Sequence, residues 1–385
     1  MHDKDRYESR EQAWIKHLML EKYLEILVLK VGTKWKSFVY VDAFAGPWDS
    51  TSEDLSDTSF SRALAVLESC KKRLKKNGVD LPIRAIFLEK KKSSASRLIS
   101  YAEKYVGDVK IEAKCADFLD EINALSASIK KDEFAFVLVD PTGFKDVTAP
   151  RVLAPLLQKR GVELMINLMW DHINRFWSHS DTQNALSDIF GEDRDSAVAA
   201  VGGSVESARC GVYTQRLRAH AGSSGGRLWA SAFPVLNPRK KRTHYYLVYT
   251  THSPTGLLTF SRVAESTWQE QSNTRAQVKL KRASPEGQTL LFSLDEVDVP
   301  VERSIDLDSV KRAWLSLLPS VGSQVVVDEN LMARLLEDYS CLECDLQLSL
   351  KILISEGVVE NSSSGRTRPK RQVHPERKEK LRRLL

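Results

Sequence analysis

The chain has 385 residues, of which 42% are hydrophobic and 28% are charged, and its formal net charge is +6. This length suits about two or three domains, and five cysteines, few and odd in number, argue against a disulfide framework. No run of about 18 apolar residues occurs and the N-terminus lacks the apolar core of a signal peptide, so we expect a cytoplasmic protein without a membrane span.

Helices and apolar strands are predicted to alternate from residue 8 onward, where apolar side chains at spacings of three and four predict a helix over 8–31. Strands are predicted at 37–42, 83–89, 109–115, 134–139 and 162–169, with helices at 62–76, 92–105 and 150–159 and another that opens at 117–122. Apolar strands of this kind are typical of a parallel sheet that is covered on both faces. The sequence therefore predicts an α/β fold with a Rossmann-like, mostly parallel sheet.

The regular alternation of predicted helices and apolar strands ends after residue 170. Residues 171–230 are mixed in character, and the next clear strand, 243–251, is predicted as the last member of the same sheet, in antiparallel orientation. A helix at 257–269 follows it. The polar, basic stretch that begins at residue 271 is interpreted as a linker to a second domain.

The C-terminal part is predicted to form a small winged-helix domain. Helical patterns at 307–318, 328–338 and 342–356 precede a β-hairpin over 358–373 with a polar tip, and three helices followed by a hairpin is the winged-helix arrangement. The predicted domains are an N-terminal helical segment (1–35), the α/β domain (36–270), a linker (271–304), the winged-helix domain (305–373) and a basic tail (374–385).

The basic excess of the chain lies at its C-terminal end. Residues 366–385 contain nine Lys or Arg and two Asp or Glu, whereas the rest of the chain is close to neutral. Clustering of this kind favours nucleic acid as the partner. A solvated tail, or a winged helix that contacts only protein, is the alternative.

Cys341 and Cys344 have the spacing of metal ligands. No second Cys/His pair lies close to them in sequence, whereas a structural zinc site needs four ligands. We therefore favour cysteines on a buried helix face and predict no metal site.

Acidic or polar residues stand where the predicted strands end, and ligands of open α/β sheets bind at the carboxyl ends of the strands. These residues are Asp42, Glu89, Asp117, Asp140 and Asn167. The turn over 43–46 lacks G-x-G-x-x-G, and Glu89 follows Asp42 by more than twice the roughly 20 positions of a dinucleotide unit, so nicotinamide binding is disfavoured. A P-loop is excluded because G-x-x-x-x-G-K-[ST] does not occur.

The first and fourth strand ends resemble motifs of S-adenosylmethionine-dependent methyltransferases. Asp42 to Gly46 reads D-x-F-x-G, and Asp140-Pro141-Thr142-Gly143-Phe144 resembles the Asp-Pro-Pro-Tyr and Asp-Pro-Phe-Gly motifs of enzymes that methylate exocyclic base amines. Such chemistry needs acceptors for the amine hydrogens, so that the nitrogen lone pair faces the methyl group, and an aromatic side chain that stacks on the base. In isolation, Asp140-Pro141 would be an ordinary strand-terminating turn; the other acidic strand ends favour the methyltransferase interpretation.

Six segments together are similar to the three-Cys-motif partner protein family, TcmP. They are KHLMLEKYLEIL, FVYVDAFAGPW, IFLEK, VLVDPTGFK, MINLMWDHINRF and YYLVYTTHSPTGL, and the similarity covers residues 8–270 by motif and 290–373 by architecture. The resemblance implies a class I methyltransferase-type fold with a C-terminal winged helix, S-adenosylmethionine as cofactor and a Cys-rich, radical-enzyme-like partner. The chain departs from the family motif F-A-G-P-G at Trp48, which replaces the second glycine and bears on cofactor affinity.

The resemblance also implies roles for individual residues. Those assigned to the cofactor are Asp42, Phe44, Ala45, Gly46, Glu89 and Asp117; those assigned to catalysis are Asp140, Pro141 and Phe144; those assigned to the substrate are Asn167, Asn174 and Arg175. The basic segment adds Arg366, Arg368, Lys370 and Arg371 as nucleic-acid contacts. Asn174 and Arg175 are equally interpreted as a helix face that packs on the next element.

The expected function is thus methyl transfer to a base amine of DNA or RNA. The alternative is a non-catalytic nucleic-acid-binding or adaptor protein with the same fold, which partners a three-Cys-motif protein.

Overall fold

The computed structural model describes residues 7–46, 55, 58–142, 146–201, 204–222, 226–283, 305–364 and 371–385. Contacts between residues divide the chain into two compact units, Met1–His252 and Ser253–Leu385. The first unit therefore ends before residue 270, the predicted limit of the α/β domain. Among the helices in the described ranges, none combines the length and the hydropathy needed to cross a membrane.

The first unit is built on a seven-stranded sheet with the strand order β3-β2-β1-β4-β5-β7-β6. The strands are β1 (Ser37–Asp42), β2 (Ile83–Glu89), β3 (Lys110–Cys115), β4 (Glu133–Val139), β5 (Val162–Leu168), β6 (Trp229–Leu236) and β7 (Thr243–Thr251). Strands β1 to β5 are parallel, and β7 is antiparallel to both of its neighbours, β5 and β6. The predicted Rossmann-like, mostly parallel sheet is confirmed, including its late antiparallel strand.

Helices cover both faces of this sheet. They are α1 (Glu11–Val31), α2 (Ser59–Lys76), α3 (Lys92–Lys104), α4 (Phe118–Ser128), α5 (Pro150–Leu157), α6 (Trp170–Phe176), α7 (Gln183–Phe190), α8 (Arg194–Val201) and α9 (Val205–Ala221). On one face, Val39 and Val41 of β1 and Val137 of β4 join a core with apolar side chains of α4, α5 and α9. Burial of these branched apolar side chains drives the packing of the helices onto the sheet.

The opposite face carries aromatic side chains at alternate positions, because successive strand residues point to opposite sides. Tyr40 of β1 stacks on Phe136 of β4 with ring centroids 6.3 Å apart, and Tyr23 of α1 lies 5.7 Å from Phe136. Phe60 of α2 lies 5.4 Å from Phe87 of β2. Helices α1 and α2 therefore cover this aromatic face, on which the candidate site lies.

Strand β6 is a strand that the sequence pattern did not reveal. Pro234 interrupts it, and proline cannot donate a ladder hydrogen bond, so a run with an internal proline is normally interpreted as a non-strand. The proline is tolerated because β6 is the edge of the sheet and pairs with β7 alone.

The second unit combines helices with a small antiparallel sheet. Its elements are α10 (Pro254–Ala283), α11 (Leu307–Ser316), β8 (Gln324–Val327), α12 (Glu329–Asp338), α13 (Glu343–Ser355), β9 (Val359–Asn361) and β10 (Glu379–Arg383), and the sheet order is β8-β10-β9. The core centres on Trp314 of α11, which is fully buried. Its Nε1 donates hydrogen bonds to the Leu346 carbonyl (3.1 Å) and to the Ser349 hydroxyl (3.2 Å), which fixes α11 against α13.

Helix α10 continues to Ala283, whereas the sequence predicts a helix that ends at 269 and a linker from 271. Its second half buries polar side chains, among them Gln271 and Thr274. The Thr274 hydroxyl donates to the Glu270 carbonyl one turn earlier, so the buried hydroxyl is satisfied within the helix. A helix with a polar buried side lacks apolar periodicity, which explains why this segment resembled a linker.

The second strand of the predicted hairpin is wrongly placed. Strand β9 pairs with β10, and β10 lies inside the segment 374–385 that was predicted as a basic tail. Leu381 is fully buried in the middle of β10, while Lys380 and Arg382 on either side of it are exposed. Alternation of one leucine among four charged residues is too weak a signal to reveal a strand.

Candidate functional site

Polar side chains at four strand ends lie on the face of the sheet that α1 and α2 cover. They are Asp42 of β1, Glu89 of β2, Asn167 of β5 and Asp140 directly after β4. Strands β1 and β4 are neighbours, so the strand order reverses between them. This reversal is the topological switch point, where open α/β sheets bind their ligands, and Asp42 and Asp140 flank it.

The loop after β1 is held between the two strands that flank β1. The Ala43 amide donates to the Leu138 carbonyl of β4 (3.0 Å), and the Ala45 amide donates to the Leu88 carbonyl of β2 (2.9 Å). Both alanines are buried. Larger side chains would not fit between the strand ends at these positions, which accounts for the small-residue turn in the sequence.

Asp42 organises this loop from inside the protein. Its side chain is completely buried, and its two oxygens accept hydrogen bonds from the Phe44 amide (3.1 Å) and from the Ser59 hydroxyl at the start of α2 (2.7 Å). The pKa of Asp42 is raised to about 6, by burial first and then by the charge of Asp140, while the two hydrogen bonds and the charge of Lys16 oppose the shift. Asp42 therefore changes its ionisation close to neutral pH.

Glu89 holds the end of the loop after β1 through hydrogen bonds to backbone amides. The residue is 2% exposed, and its carboxylate accepts hydrogen bonds from the backbone amides of Lys91 and Gly46. Burial raises the pKa of Glu89, and the backbone hydrogen bonds act in the opposite direction. The carboxylate thus ties Gly46 to the end of β2 and fixes the path of the loop.

Asp140 is held from two sides by charged and polar partners. Its Oδ1 accepts a hydrogen bond from Asn167 Nδ2 at 2.6 Å, and its Oδ2 forms an ion pair with the Lys16 ammonium of α1. Asn167 is 3% exposed, and its Oδ1 has no hydrogen-bond partner within the described part of the chain. A buried carbonyl oxygen without a partner is costly, and it can accept a hydrogen bond from a ligand at this point.

The hydroxyl of Tyr40 is a second buried polar group without a hydrogen-bond partner among the described residues. Burial raises the pKa of Tyr40 well above its ordinary value, and the charges of Asp42 and Asp140 raise it further. Its hydroxyl therefore lies in the electrostatic field of both carboxyl groups. It remains a neutral donor and acceptor at all physiological pH values.

Asp117 acts first as a helix cap. Its Oδ1 accepts the Leu119 amide at 3.1 Å at the start of α4, and its Oδ2 pairs with the exposed Lys90 ammonium at 2.6 Å. The Phe44 ring packs against Phe118, with ring centroids 5.8 Å apart. Phe44 and Asp117 thus lie on the same side of the loop, toward α4.

Asn174 and Arg175 lie on exposed positions of α6. The Asn174 side-chain oxygen accepts a hydrogen bond from Arg209 of α9 at 3.0 Å, and the Arg209 guanidinium lies 3.7 Å from the centroid of the Trp177 ring. Among the described contacts, no hydrogen bond or ion pair joins either residue to the strand-end carboxylates. These contacts favour the interpretation of Asn174 as part of a helix face that packs on α9.

Four predicted site residues lie outside the described residues, namely Phe144, Arg366, Arg368 and Lys370, and so does Trp48, where the chain departs from the family motif. Pro141 is described and buried. Arg371 forms ion pairs with the buried Glu343 (2.8 Å) and with Glu376 (3.1 Å), so its guanidinium is engaged within the second unit.

Lys16 and Ser59 are site residues that the sequence analysis did not identify. Lys16 is one of several charged residues of α1, and a lysine in a helix is normally interpreted as solvated. Its contact with Asp140 joins residues that are 124 positions apart and depends on the packing of α1 over β4. Ser59 is a usual residue for a helix start, and only its contact with Asp42 marks it as part of the site.

Within the described residues, no group of three or more His, Cys, Asp or Glu side chains is arranged to hold a metal ion. Cys341 is buried before α13, and Cys344 is half-buried in its first turn. A cavity of about 340 Å³ lies elsewhere, in the second unit, lined by Arg262, Glu343 and Lys351 among others. It shares only Arg371 with the predicted site residues, so it does not coincide with the strand-end site.

Comparisons with known proteins do not identify a family for this chain. No family model matches the chain. No curated protein matches it either. Among solved structures, protein LPL1258 from Legionella pneumophila str. Philadelphia 1, assigned to family model DUF519, is similar at 13% identity and a TM-score of 0.36, over 66% of this chain and 89% of that one. At that TM-score the similarity carries no argument about function.

Proposed function

We propose that this protein is an S-adenosylmethionine-dependent methyltransferase that acts on an exocyclic base amine of DNA or RNA. The observation that carries the proposal is the cluster of polar side chains at the switch point. Asp140 is held there by Asn167 and Lys16, and Asn167 keeps a buried oxygen that has no hydrogen-bond partner among the described residues. An amine that enters this position finds two acceptors, the Asp140 carboxylate and Asn167 Oδ1.

The form of the sheet supports the proposal. Five parallel strands are followed by β7, which runs antiparallel between β5 and β6. This is the sheet that the resemblance to Rossmann-like methyltransferases implies. The carboxyl ends of β1, β2 and β4 meet at one edge, which is where such a sheet binds cofactor and substrate.

The loop after β1 and the end of β2 suit the polar groups of the cofactor. Gly46 allows the backbone to approach closely, and Glu89 and Asp117 supply carboxylate oxygens for ribose hydroxyls and for the adenine amine. Asp117 is engaged by the exposed Lys90, whose flexible side chain a ligand can displace. S-adenosylmethionine, when bound, supplies an electrophilic methyl group on a sulfonium.

The residues around Asp140 suit the orientation of a neutral amine. When the amine hydrogens point to the Asp140 carboxylate and to Asn167 Oδ1, the nitrogen lone pair is directed away from both and toward the incoming methyl group. Pro141 restricts the backbone next to Asp140. A base within a duplex has to leave the stack to reach this position.

The second unit supports nucleic acid as the substrate. Its elements run in the order α11, β8, α12, α13, β9 and β10, with β10 between β8 and β9, and a winged-helix domain would have helices and a small sheet of this kind. Lys380 and Arg382 project from the exposed side of β10. Cations on such a strand are suited to phosphate contacts.

Two measurements test the proposal. Calorimetric titration with S-adenosylmethionine is expected to give saturable heat, because Gly46 and the strand-end carboxylates supply polar contacts for the cofactor. Transfer of labelled methyl groups to DNA and RNA oligonucleotides should fall by about 100-fold or more in Asp140→Ala, because the amine loses its carboxylate acceptor.

Asp181→Ala is the matched control, since Asp181 is an exposed aspartate whose contacts in the described part of the chain are with Ser180 and His179. Its activity should equal that of the unmodified protein. Absence of both heat and thermal stabilisation at millimolar S-adenosylmethionine would refute the catalytic proposal.

A second function, an adaptor with a methyltransferase-like fold, is favoured by one observation. Asp42 directs both of its oxygens inward, to Phe44 and Ser59, and so contributes structure to the loop without facing a ligand. Such a protein would bind nucleic acid or a three-Cys-motif partner without methyl transfer. Asp140→Ala would then leave nucleic-acid binding and partner binding unchanged, and S-adenosylmethionine would produce no heat.

A further inference from the structure

Lys16 connects the N-terminal helix to the strand-end site. Its ammonium pairs with Asp140 Oδ2, on the side of the carboxylate opposite to Asn167. The Lys16 and Asp140 side chains are 16% and 14% exposed, so this is not a surface ion pair. In a partly buried ion pair of this kind, removal of one charge is destabilising because the other charge then stays buried without a partner.

The surroundings of the pair are rich in acidic and phenolic groups. Asp42 lies on the neighbouring strand, and its carboxyl interacts with the charges of both Asp140 and Lys16. Tyr40 of β1 and Tyr245 of β7 also lie within the field of Asp140. The Lys16 ammonium therefore pairs with Asp140 and also acts on Asp42, while two phenols lie in the field of Asp140.

Other cations near α1 are engaged elsewhere. Arg62 of α2 pairs with Glu21 and lies over the rings of Tyr7 and Trp14. The pKa of His17 is held well below its ordinary value, by burial first and then by the nearby charges of Lys16, Arg62 and Arg10, so that the imidazole is neutral. The ion pair of Lys16 thus brings a cation of α1 to Asp140 at the strand-end site.

We propose that Lys16 is a positioning residue of the strand-end site: its ammonium compensates the adjacent carboxyl groups Asp42 and Asp140 and fixes the Asp140 carboxylate for a substrate amine. The inference rests on the proposed function for the identity of the substrate, while the electrostatic role of Lys16 holds without it. Asn167 fixes one oxygen of Asp140 and Lys16 fixes the other. Each oxygen keeps a second lone pair, so the amine binds while both partners stay in place.

Removal of the ammonium has two consequences. The two carboxyl groups repel each other without compensation, which favours the protonated form of Asp42. Asp140 also loses the contact that fixes Oδ2, so its acceptor geometry loosens. Arginine at position 16 retains the charge, whereas methionine retains the length of the side chain without the charge.

The first test measures the ionisation of Asp42, by NMR titration of the full chain with ¹³C-labelled aspartate carboxyl groups. In Lys16→Met the pKa of Asp42 should move upward by about half a unit to one unit from its value in the unmodified protein. Lys16→Arg should restore most of the original value. Lys34→Met is the matched control, because Lys34 is an exposed lysine just beyond α1, and it should leave the titration unchanged. Asp140→Asn should lower the pKa of Asp42, because it removes a neighbouring negative charge.

The second test uses methyl transfer to oligonucleotides. Lys16→Met should lower kcat roughly tenfold, with little change in affinity for S-adenosylmethionine, and Lys16→Arg should recover most of kcat. An unchanged Asp42 titration in Lys16→Met would overturn the inference, whatever the activity. A shifted titration in a protein that transfers no methyl groups would refute the proposed function and leave the electrostatic role of Lys16 standing. If Lys16→Met does not fold, Lys16→Gln, which keeps a polar end group, is titrated in its place, with the same two outcomes.

Discussion

Asp42 links the stability of the first unit to pH. Its pKa of about 6 in the folded protein lies above the ordinary value of 3.8, so folding favours the protonated carboxyl. The stabilising contribution of Asp42 is therefore complete below the ordinary pKa and is lost as the pH rises through 6. A shift of about two units corresponds to about 3 kcal/mol between these limits.

Asp42→Asn should remove this pH dependence. Asparagine is neutral, its side-chain oxygen can accept the Phe44 amide and its NH₂ group can donate to the Ser59 hydroxyl. The free energy of unfolding should therefore rise by about 1–3 kcal/mol at pH 7.5 and change little at pH 4. Urea unfolding at the two pH values, with Asp181→Asn as the control, measures the difference. Equal effects of Asp42→Asn at both pH values would contradict the assigned pKa.

The individual residues of the site differ in how well the sequence predicts them. Asp42, Glu89 and Asp140 could be predicted because each ends an apolar run, and the end of a strand is visible in the sequence itself. Lys16 could not, because its role depends on the packing of a helix across a strand that lies more than a hundred residues away. The neighbouring residues Ile15 and His17 do not indicate the contact either.

At the scale of elements, α1 is joined to the sheet by a buried polar contact as well as by apolar packing. Glu163 of β5 accepts hydrogen bonds from the Tyr23 hydroxyl of α1 and from the Thr251 hydroxyl of β7, both at 2.7 Å. Burial raises the pKa of Glu163, and the hydrogen bonds oppose the shift. This contact and the ion pair of Lys16 attach the same helix to neighbouring strands.

Glu163→Ala should lower the free energy of unfolding by about 2–4 kcal/mol, because it leaves two buried hydroxyls without their acceptor and creates a cavity. Glu163→Gln keeps an acceptor oxygen and nearly the same volume, so its effect should be much smaller. Thermal and urea unfolding of the two variants measure the contrast. A similar loss in both would show that charge, and not the hydrogen bonds, is what matters at this position.

The elements that escaped prediction share a physical cause. Strand β6 contains Pro234 at a sheet edge, β10 has one buried leucine among charges, and the second half of α10 buries Gln271 and Thr274. In each case tertiary contacts stabilise an element whose local pattern is weak. The parallel strands β1, β2, β4 and β5, which are buried on both faces, could be predicted because burial on both faces requires a continuous apolar run.

At the scale of the whole molecule, the chain consists of two compact units that carry different parts of the proposed function. Deletion of residues 366–385 would remove β10, the central strand of the small sheet, so a loss of nucleic-acid binding would then report unfolding. Substitution on the exposed side of β10 is the sharper test.

The double variant Lys380→Glu/Arg382→Glu should weaken binding to DNA or RNA and should reduce the slope of log affinity against log salt by about two. Both side chains are exposed, so the fold should be retained. Lys34→Glu/Lys104→Glu makes the same change in net charge on exposed positions of the first unit and serves as the control. If both double variants weaken binding equally, net charge alone accounts for the effect, and β10 is not a contact surface.

The ion pair of Lys16 determines where a shortened chain should begin. A shortened chain that starts at residue 36, where the sequence places the beginning of the α/β domain, would keep every strand of the large sheet. It would nevertheless lose Lys16 and Tyr23, and with them the partners that α1 provides to Asp140 and Glu163. A shorter chain that is tested for the proposed activity has to begin before α1, because the helix that precedes the first strand provides Lys16, the ion-pair partner of Asp140.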